Sequence, residues 1–298
     1  MSKKYKGFLW IFIFLVIIGV SIFYLLRQYD NQQANNTKLI QNNETKANEG
    51  VSDKPQINKK KEREFAGVNI KYNDRSLPVL MYHSIAYEEG NELRIPKENF
   101  REQMKYLKDN NYTTLTLDEL YSFFISNKPI QEKSVVITFD DGYKDNYENA
   151  YPILKEFGFN ATIFVITGAI DNEKDYLTLN QLKEMEQNGI DIESHTVAHE
   201  QLDKISYEKQ LDTITRSKKY LEEALGKEIR YIAYPFGKYN TDTVKASKYA
   251  GYNMSFTTQG GWSNKTQDIF TLNRVYISAN YGLSEFKRRL TNPNYNTN

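Results

Sequence analysis

The sequence predicts an α/β fold in which about eight parallel strands alternate with helices and form a closed or nearly closed barrel. From about Leu77 onward, short apolar runs rich in β-branched residues alternate with runs that repeat at helical spacing. Alternation of this kind implies parallel pairing through right-handed crossovers. An open doubly wound sheet is the alternative, but no glycine-rich phosphate loop follows any predicted strand, which argues against a bound nucleotide.

Each predicted element rests on a local pattern. Residues 134–139 form an uninterrupted apolar run bounded by a turn, the pattern of a strand buried on both faces. Thr116 and Glu119 are spaced as a capping box that begins a helix. Strands are predicted at 78–83, 113–115, 134–139, 161–166, 190–195, 229–234, 253–257 and 271–277. Helices are predicted around 100–107, from 116, and at 146–157, 178–188, 206–225, 242–250 and 284–290, before a loose tail at 292–298.

The composition is that of an ordinary globular protein with no bias toward a nucleic-acid partner. The 298 residues carry a formal net charge of +1, and 26% of them are charged. The absence of cysteine excludes disulfides, thiolate metal ligands, a cysteine nucleophile and a lipid-modified cysteine. The sequence holds three histidines, His83, His195 and His199, so each is a candidate for chemistry.

The N-terminal region predicts a membrane anchor followed by a polar linker. Residues 7–26 carry no charge and are long enough to cross a bilayer as a helix, and the lysines before them place the N-terminus in the cytoplasm. We therefore expect residues 1–27 to be a cytoplasmic stub and a single-pass transmembrane helix, with the rest of the chain extracellular. A cleaved signal peptide, which would release the protein, is the alternative. Residues 28–70 are expected to form a disordered linker before a folded domain at residues 71–298.

Two adjacent carboxylates, Asp140 and Asp141, end the predicted strand at 134–139 and precede Gly142. Neighbouring carboxylates repel each other, so they need a cation, a shared proton or open solvent. The C-terminal ends of parallel strands are where barrels and open α/β sheets place their chemistry. The two acids therefore indicate a functional site at this edge, although an acidic Asp-Gly turn has the same local sequence.

A second group of polar residues, His195 and His199, follows the strand predicted at 190–195. Two histidines four residues apart can project to one side of a helical turn and bind one metal ion. Together with one carboxylate they leave coordination positions open for water and substrate, as in a catalytic metal site. A metal ion acidifies its bound water, and the adjacent Asp140 could then take the proton from that water.

These two segments resemble the first two motifs of the NodB-type polysaccharide deacetylases, carbohydrate esterase family 4. The first is Thr-Phe-Asp-Asp-Gly-Tyr at 138–143, and the second is Ser-His-Thr-Val-Ala-His at 194–199. The resemblance implies a distorted (β/α)7-type barrel, the NodB homology domain, over about residues 77–291.

The resemblance also implies a role for each polar residue of these motifs. Asp140 would be the general base of amide hydrolysis. The cofactor would be one divalent metal ion, zinc in the first place, with cobalt or nickel as alternatives. Its ligands would be Asp141, His195 and His199.

The third motif of the family is only partly present. Residues 233–237, Ala-Tyr-Pro-Phe-Gly, keep its proline, aromatic residue and glycine. The resemblance makes Tyr234, Pro235 and Phe236 a wall of the sugar-binding groove, although a strand-ending turn would suit the same residues. The arginine that steadies the base in much of the family is absent, and so is the late Leu-x-His motif with its acid histidine.

Both departures match the poly-β-1,6-N-acetylglucosamine deacetylases of the intercellular-adhesin type (IcaB and PgaB), which residues 79–84 resemble. In that branch the acid histidine comes from the N-terminal strand. His83 is therefore expected to protonate the leaving amine. The alternative is a hydrogen-bonded structural histidine near the site.

Three further residues are assigned to the reaction or the substrate. The Tyr143 backbone N–H is expected, by resemblance, to stabilise the oxyanion. Trp262 is expected either to stack on a sugar ring or to pack in the core. Arg274 is expected either to assist the base or to bind substrate.

The predicted reaction is metal-dependent hydrolysis of N-acetyl groups on an extracellular amino-sugar polymer. The first choice of polymer is the poly-β-1,6-N-acetylglucosamine of a biofilm matrix. Peptidoglycan, another β-1,4 amino sugar and O-acetyl xylan are the alternative substrates. A non-catalytic surface glycan-binding protein and an anchored structural or adhesion protein are the alternatives from other classes. The expected partners are the polymer and the membrane, not a nucleic acid or a nucleotide.

Overall fold

Residues 63–296 are the part of the chain that this computed structural model describes, and a barrel of parallel strands lies at their centre. The anchor predicted at residues 1–27 and most of the predicted linker, residues 28–62, lie outside the described residues. None of the helices within residues 63–296 is long and apolar enough to cross a bilayer. The domain boundary predicted at residue 71 stays a prediction.

Ten strands are present in the described residues, and seven of them form the barrel. In chain order the strands are β1 Ile70–Lys71, β2 Val79–Tyr82, β3 Thr113–Thr114, β4 Ile130–Gln131, β5 Ser134–Phe139, β6 Ala161–Val165, β7 Ile190–Ser194, β8 Tyr231–Ala233, β9 Met254–Gly260 and β10 Leu272–Tyr276. The order around the barrel is β2, β10, β9, β8, β7, β6, β5, with every neighbouring pair parallel.

Pairing between β2 and β5 closes the barrel. Val79 lies opposite Val136 and Tyr82 lies opposite Phe139, so the first and last strands of the ring are in register. The predicted barrel is therefore confirmed, and the open sheet is excluded. The strand predicted at 113–115 forms β3, which pairs with the first two residues of β5 without joining the ring, so the ring has seven strands and not about eight.

Seven α-helices of the described residues alternate with these strands along the chain. They are α1 Lys97–Asp109, α2 Leu117–Ser126, α3 Tyr151–Phe157, α4 Leu179–Gln187, α5 Tyr207–Leu225, α6 Thr241–Tyr249 and α7 Leu283–Thr291. The predicted capping box begins α2, because the Thr116 side chain accepts from the Glu119 N–H and the Glu119 carboxylate accepts from the Thr116 N–H. Gly158 and Gly226 end α3 and α5 with left-handed φ values of 71° and 68°.

Alternation along the strands separates two apolar cores. Val136 and Phe256 belong to a smaller core that fills the barrel interior together with side chains of α2. Ile137 and Ile232, which point the other way, belong to the larger core between the barrel and the helices. Successive strand residues face opposite sides, so the phase of a residue decides whether its side chain points into the barrel or toward the helices.

The C-terminal residues are packed against the domain. Tyr295 is 4% exposed, and its hydroxyl accepts a hydrogen bond of 2.9 Å from the Gly261 N–H. Arg288 donates to the Tyr295 carbonyl, and the Arg289 guanidinium lies 4.8 Å from the centroid of the Tyr295 ring. The prediction of a loose tail is wrong for residues 292–296, because one aromatic ring supplies the apolar area and cation contact that anchor them.

Candidate active site

Asp140, the predicted base, is buried at the end of β5 and paired with Arg274 on β10. Arg274 Nη1 and Nη2 donate to Asp140 Oδ1 and Oδ2 at 2.7 and 2.6 Å. Arg274 is 0% exposed, and its Nε donates to the Thr257 carbonyl at 2.9 Å. A guanidinium that forms two parallel bonds to a carboxylate fixes the plane of that carboxylate. Arg274 therefore orients Asp140.

The charge of Asp140 is set by opposing effects. Burial alone raises the pKa of Asp140, because a carboxylate is less stable away from water. The Arg274 guanidinium, followed by His195 and His83, outweighs burial and holds the pKa of Asp140 well below its ordinary value. Asp140 is therefore an anion throughout the neutral pH range.

Asp141, His195 and His199 meet beside Asp140, and we call these three residues the metal-ligand cluster. Asp141 Oδ1 lies 3.5 Å from His195 Nε2 and 3.2 Å from His199 Nε2. All three candidate ligand atoms lie within 4.8 Å of one another. Two ligands bonded to one ion at about 2.1 Å, with bond angles between about 90° and 110°, lie about 3.0–3.4 Å apart. The two distances from Asp141 Oδ1 lie within or close to this range, so the cluster has a spacing that suits ligands of one ion.

The donor atoms of the cluster also suit a cation. Asp141 Oδ1 is buried and forms no hydrogen bond within residues 63–296, which is costly for a carboxylate oxygen unless a cation binds it. His195 Nδ1 lies 2.8 Å from the Ala233 carbonyl oxygen. A proton on Nδ1 would be donated to that carbonyl, which leaves the Nε2 lone pair facing Asp141. These residues fit a divalent metal ion held by one carboxylate and two imidazoles.

An irregular loop brings the two histidines together, so the helical turn that their spacing predicted is wrong. Strand β7 ends at Ser194, and Thr196 and His199 have left-handed φ values of 67° and 56°. Thr196 Oγ1 accepts from the His199 N–H at 3.1 Å. The Glu200 carboxylate accepts from the hydroxyls of Thr196 and Thr213 at 3.2 and 3.1 Å. These bonds stabilise a strained backbone, which is common at functional sites.

His83, the predicted acid, lies at the same end of the barrel as the carboxylates. It follows Tyr82, which pairs with Phe139 directly before Asp140. Burial lowers the pKa of His83; Asp140 and Asp141 raise it, and the net shift is downward. His83 Nδ1 is buried and has no hydrogen-bond partner within residues 63–296. The imidazole is therefore close enough to interact electrostatically with both carboxylates.

Two of the aromatic residues predicted to contact substrate lie at the surface near the cluster. Phe236 is 49% exposed, and its ring centroid lies 4.3 Å from that of His199. Tyr143 is half-buried and stacks on Tyr176 with ring centroids 5.2 Å apart. Phe236 therefore adjoins the cluster at His199, and Tyr143 lies two residues beyond Asp141. The oxyanion role of the Tyr143 N–H stays a prediction.

Tyr234, Pro235 and Arg274 are buried, which argues against the predicted contact of these residues with substrate. Tyr234 is 0% exposed, and its hydroxyl donates to Ser247 Oγ on α6 at 3.2 Å. It is in phase with Ile232, and strand alternation therefore carries its ring to the helix layer. The contact of Arg274 with Asp140, the predicted base, supports the other role predicted for it.

The contacts of Trp262 favour the packing alternative of the two predicted for it. Its indole N–H donates to the Arg289 carbonyl at 2.8 Å, and the half-buried ring packs against the larger core. The indole nitrogen and part of the ring are thus engaged within the domain, and stacking of Trp262 on a sugar ring stays a prediction.

Sequence reasoning missed the polar residues that hold these segments in place. Glu200 supports the histidine loop, and Asp145 binds the residues after β2. Neither belongs to a motif, and a single carboxylate in a polar segment is usually solvated. Their contacts with distant residues appear only once the barrel has formed.

The site as a whole is equipped for hydrolysis of an acyl group. It holds an ionised carboxylate, an imidazole and a cluster that fits a divalent ion. When bound, such an ion polarises a carbonyl and lowers the pKa of water. The carboxylate can take a proton and the imidazole can give one, as acyl transfer to water requires.

Three known proteins are similar to this chain over most of its described length. YxkH of Bacillus subtilis (strain 168), whose name places it provisionally among the polysaccharide deacetylases, is 42% identical over 238 residues, 76% of this chain and 84% of YxkH. The poly-β-1,6-N-acetyl-D-glucosamine N-deacetylase of Staphylococcus aureus (strain MRSA252) is 29% identical over 236 residues, 70% of this chain and 81% of that enzyme. The structure of the Streptococcus pyogenes deacetylase PplD in complex with acetate is 33% identical, with a TM-score of 0.70, and the match covers 72% of this chain and 98% of PplD.

A model of the family described as polysaccharide deacetylase matches residues 127–255, the range that contains Asp140 and the metal-ligand cluster. The resemblance inferred from the two motifs is thus confirmed, as is the assignment of the protein as a hydrolase. With a relative 42% identical over 84% of its length, this chain belongs to the polysaccharide deacetylase family.

Proposed function

We propose that the protein removes N-acetyl groups from an extracellular N-acetylglucosamine polymer, with zinc as its metal ion. The polymer we propose is the poly-β-1,6-N-acetylglucosamine of a biofilm matrix. The convergence of Asp140 with the metal-ligand cluster is the observation that carries the reaction class. The named activity of the S. aureus relative supports the polymer, and so does an imidazole at His83, directly after the first barrel strand.

The proposed reaction consumes one water and breaks one C–N bond. Asp140 accepts a proton from the attacking water while the water oxygen adds to the acetamide carbonyl carbon. The Tyr143 N–H stabilises the negative charge that develops on the carbonyl oxygen. His83 then donates a proton to the nitrogen while the C–N bond breaks, which leaves acetate and a free amine. The amine is cationic at neutral pH, so the polymer gains positive charge and adheres to anionic surfaces.

The proposed location is the outer face of the cell membrane. Residues 7–26 are uncharged and follow a lysine-rich start, which supports an anchor with the catalytic domain outside. Proteolysis of intact cells tests this: the domain should be digested from outside, and protection until the cells are lysed would contradict the proposed topology. Cleavage after the anchor would release the enzyme into the medium.

A β-1,4-linked amino sugar such as peptidoglycan is the second candidate substrate. Two relatives more similar to this chain than the S. aureus enzyme, YxkH and PplD, have names that do not specify a β-1,6 polymer. Linkage therefore has to be decided by assay, since the chemistry at the acetamide is the same for both polymers.

The test is acetate release by the full chain from a panel of β-1,6 and β-1,4 N-acetylglucosamine oligomers, peptidoglycan and O-acetyl xylan. We expect β-1,6 oligomers to be preferred by roughly 10-fold or more in kcat/KM. Acetate release from the other substrates alone would overturn the proposal that the polymer is β-1,6-linked. No acetate release from any substrate, after loading with zinc, cobalt or nickel, would overturn the reaction class.

A further inference from the structure

The backbone around His83 is held by polar side chains that follow β5, and we propose that Asp145 is the positioning residue that keeps this general acid in place. The inference rests on the proposed role of His83. Asp145 itself lies two residues beyond the motif at 138–143 that carries the base, so it is not part of that motif. Its contacts alone point to this role.

Asp145 and its neighbour bind three successive residues at the end of β2. The Asp145 carboxylate accepts from the Ser84 hydroxyl at 2.6 Å and from the Ile85 N–H at 2.7 Å. Asn146 Nδ2 donates to the His83 carbonyl at 2.8 Å and to Asp145 Oδ1 at 3.2 Å. The backbone that follows the His83 Cα is thus tied to the segment after β5.

An unusual turn presents these side chains. Asn146–Ala150 form a π-helical turn, a rare conformation that is frequent at functional sites. The turn also directs Asn149 toward β2, where its Nδ2 donates to the Ile85 carbonyl at 2.8 Å. We call Asp145, Asn146 and Asn149 the His83 clamp.

The clamp is needed because the barrel pairing between β2 and β5 ends just before His83. The last bond of this pairing joins the Asp140 N–H to the Tyr82 carbonyl at 2.9 Å. Beyond it the chain turns away, and Ser84 pairs instead with residues 93–95 of its own loop. The imidazole nitrogen Nδ1 has no hydrogen-bond partner within residues 63–296 and does not anchor the ring. The position of the ring therefore depends on its backbone.

The clamp also couples the two strand ends that must act together. Asp145 lies four residues after Asp141, on the segment that carries the base and one candidate metal ligand. Its bonds to Ser84 and Ile85 fix the acid relative to that segment. A displacement of about 1 Å between reacting groups can cost about 100-fold in rate, so loss of the clamp should slow the chemical step.

The experiment compares Asp145→Ala, Asp145→Asn, His83→Asn and the double variant Asp145→Ala/His83→Asn in the full chain loaded with zinc. With an N-acetylglucosamine oligomer as substrate, Asp145→Ala should lower kcat about 10- to 100-fold and leave KM within about 2-fold. Asp145→Asn, which keeps the size and an acceptor for the Ile85 N–H, should recover most of kcat. When Asp145→Ala is added to His83→Asn, kcat should fall less than about 3-fold further, because the acid that Asp145 positions is already absent.

Zinc affinity, measured by competition with a chelator, separates positioning from general damage. Asp145→Ala should bind zinc as tightly as the natural chain. Three results would each overturn the inference. They are a wild-type kcat in Asp145→Ala, an equal fall in kcat when Asp145→Ala is added to His83→Asn, and weakened zinc binding by Asp145→Ala. If Asp145→Ala does not fold, Ser84→Ala removes only the 2.6 Å bond and should lower kcat about 3-fold; an unchanged kcat would then overturn it.

The proposed function fails in a different way. A fully active His83→Asn would overturn the role of His83, and the inference with it. An impaired His83→Asn beside a fully active Asp145→Ala would overturn the inference alone.

Discussion

Arg274 and Asp140 are 134 residues apart in the sequence, yet they form a buried pair with two hydrogen bonds of 2.7 and 2.6 Å. Strands β10 and β5 both pair with β2, so closure of the barrel brings the two side chains together across one strand. Arg274 is in phase with Leu272, whose side chain belongs to the interior core, and the guanidinium therefore points into the barrel. It supplies the cation that the incomplete third motif lacks.

Removal of this cation should change the pH dependence of the reaction. In Arg274→Gln, burial is no longer offset by the guanidinium, so the pKa of Asp140 rises. The base works as a carboxylate, and its activity is lost as pH falls through its pKa. The acid limb of kcat/KM should therefore move to higher pH by about one unit or more.

The measurement is a kcat/KM profile from about pH 4 to about pH 9, beside Arg274→Lys as the matched control. Lysine keeps the charge but not the two-bond geometry, so its acid limb should move less. An acid limb that stays in place in Arg274→Gln would show that the pair does not govern the ionisation of the base.

His83→Asn should slow the reaction in a way that depends on the leaving group. An amine must be protonated to leave, whereas 4-nitrophenolate leaves without help. Acetate release from an N-acetylglucosamine oligomer should fall about 10²- to 10⁴-fold, while hydrolysis of 4-nitrophenyl acetate should change less than about 3-fold. An equal loss on both substrates would assign His83 a structural role.

Zinc should stabilise the chain through the metal-ligand cluster. Binding to the folded state alone adds about 2.7 kcal/mol to the free energy of unfolding when free zinc is 100 times its Kd. A chelator should therefore lower Tm and abolish activity, and zinc should restore both. Asp141→Asn should lose the shift in Tm, because it weakens the ligand that both imidazoles face.

Asp212→Asn is the matched control for the zinc experiment. Asp212 is an exposed carboxylate on α5, paired with Arg216 outside the cluster, and its replacement should leave the shift intact. If zinc raised the Tm of Asp141→Asn as much as that of Asp212→Asn, the ion would bind outside the metal-ligand cluster.

Phe236 should contribute to substrate binding without contributing to chemistry. Its ring is half-exposed beside His199, and its φ of 56° is a left-handed conformation that non-glycine residues seldom adopt. Phe236→Ala should raise KM for oligomers about 3- to 10-fold and keep kcat, because an aromatic face is worth about 0.5–1.5 kcal/mol beyond its area. Tyr249→Ala, which removes a ring that is 79% exposed on α6, is the control and should change neither constant. Equal KM values in the two variants would remove Phe236 from the substrate site.

The barrel could be predicted because buried parallel strands are continuous apolar runs. The strands predicted at 161–166 and 190–195 are Ala161–Val165 and Ile190–Ser194, so each begins at the predicted residue and ends one residue early. Strand β9 departs further, since it continues to Gly260 through Thr258 and Gln259. Its pairing with β10 supplies backbone bonds that side-chain polarity does not reveal.

The candidate site could be predicted only where its residues form continuous motifs. Asp140 and the metal-ligand cluster lie in two short segments, and their chemistry is readable there. The pair of Asp140 with Arg274 depends on barrel closure, which no local pattern encodes. The burial of Tyr234 could have been foreseen from strand alternation, whereas the left-handed φ of Thr196 and His199 could not, because neither is glycine.

The most direct test of the account is acetate release by Asp140→Asn beside its zinc content. The variant keeps the size of the side chain but removes the base, so acetate release from the preferred oligomer should fall about 10²- to 10⁴-fold. The metal-ligand cluster is unchanged, so the variant should still bind one zinc ion. Acetate release at the wild-type rate by the zinc-loaded variant would contradict the assignment of Asp140 and, with it, the proposed hydrolysis.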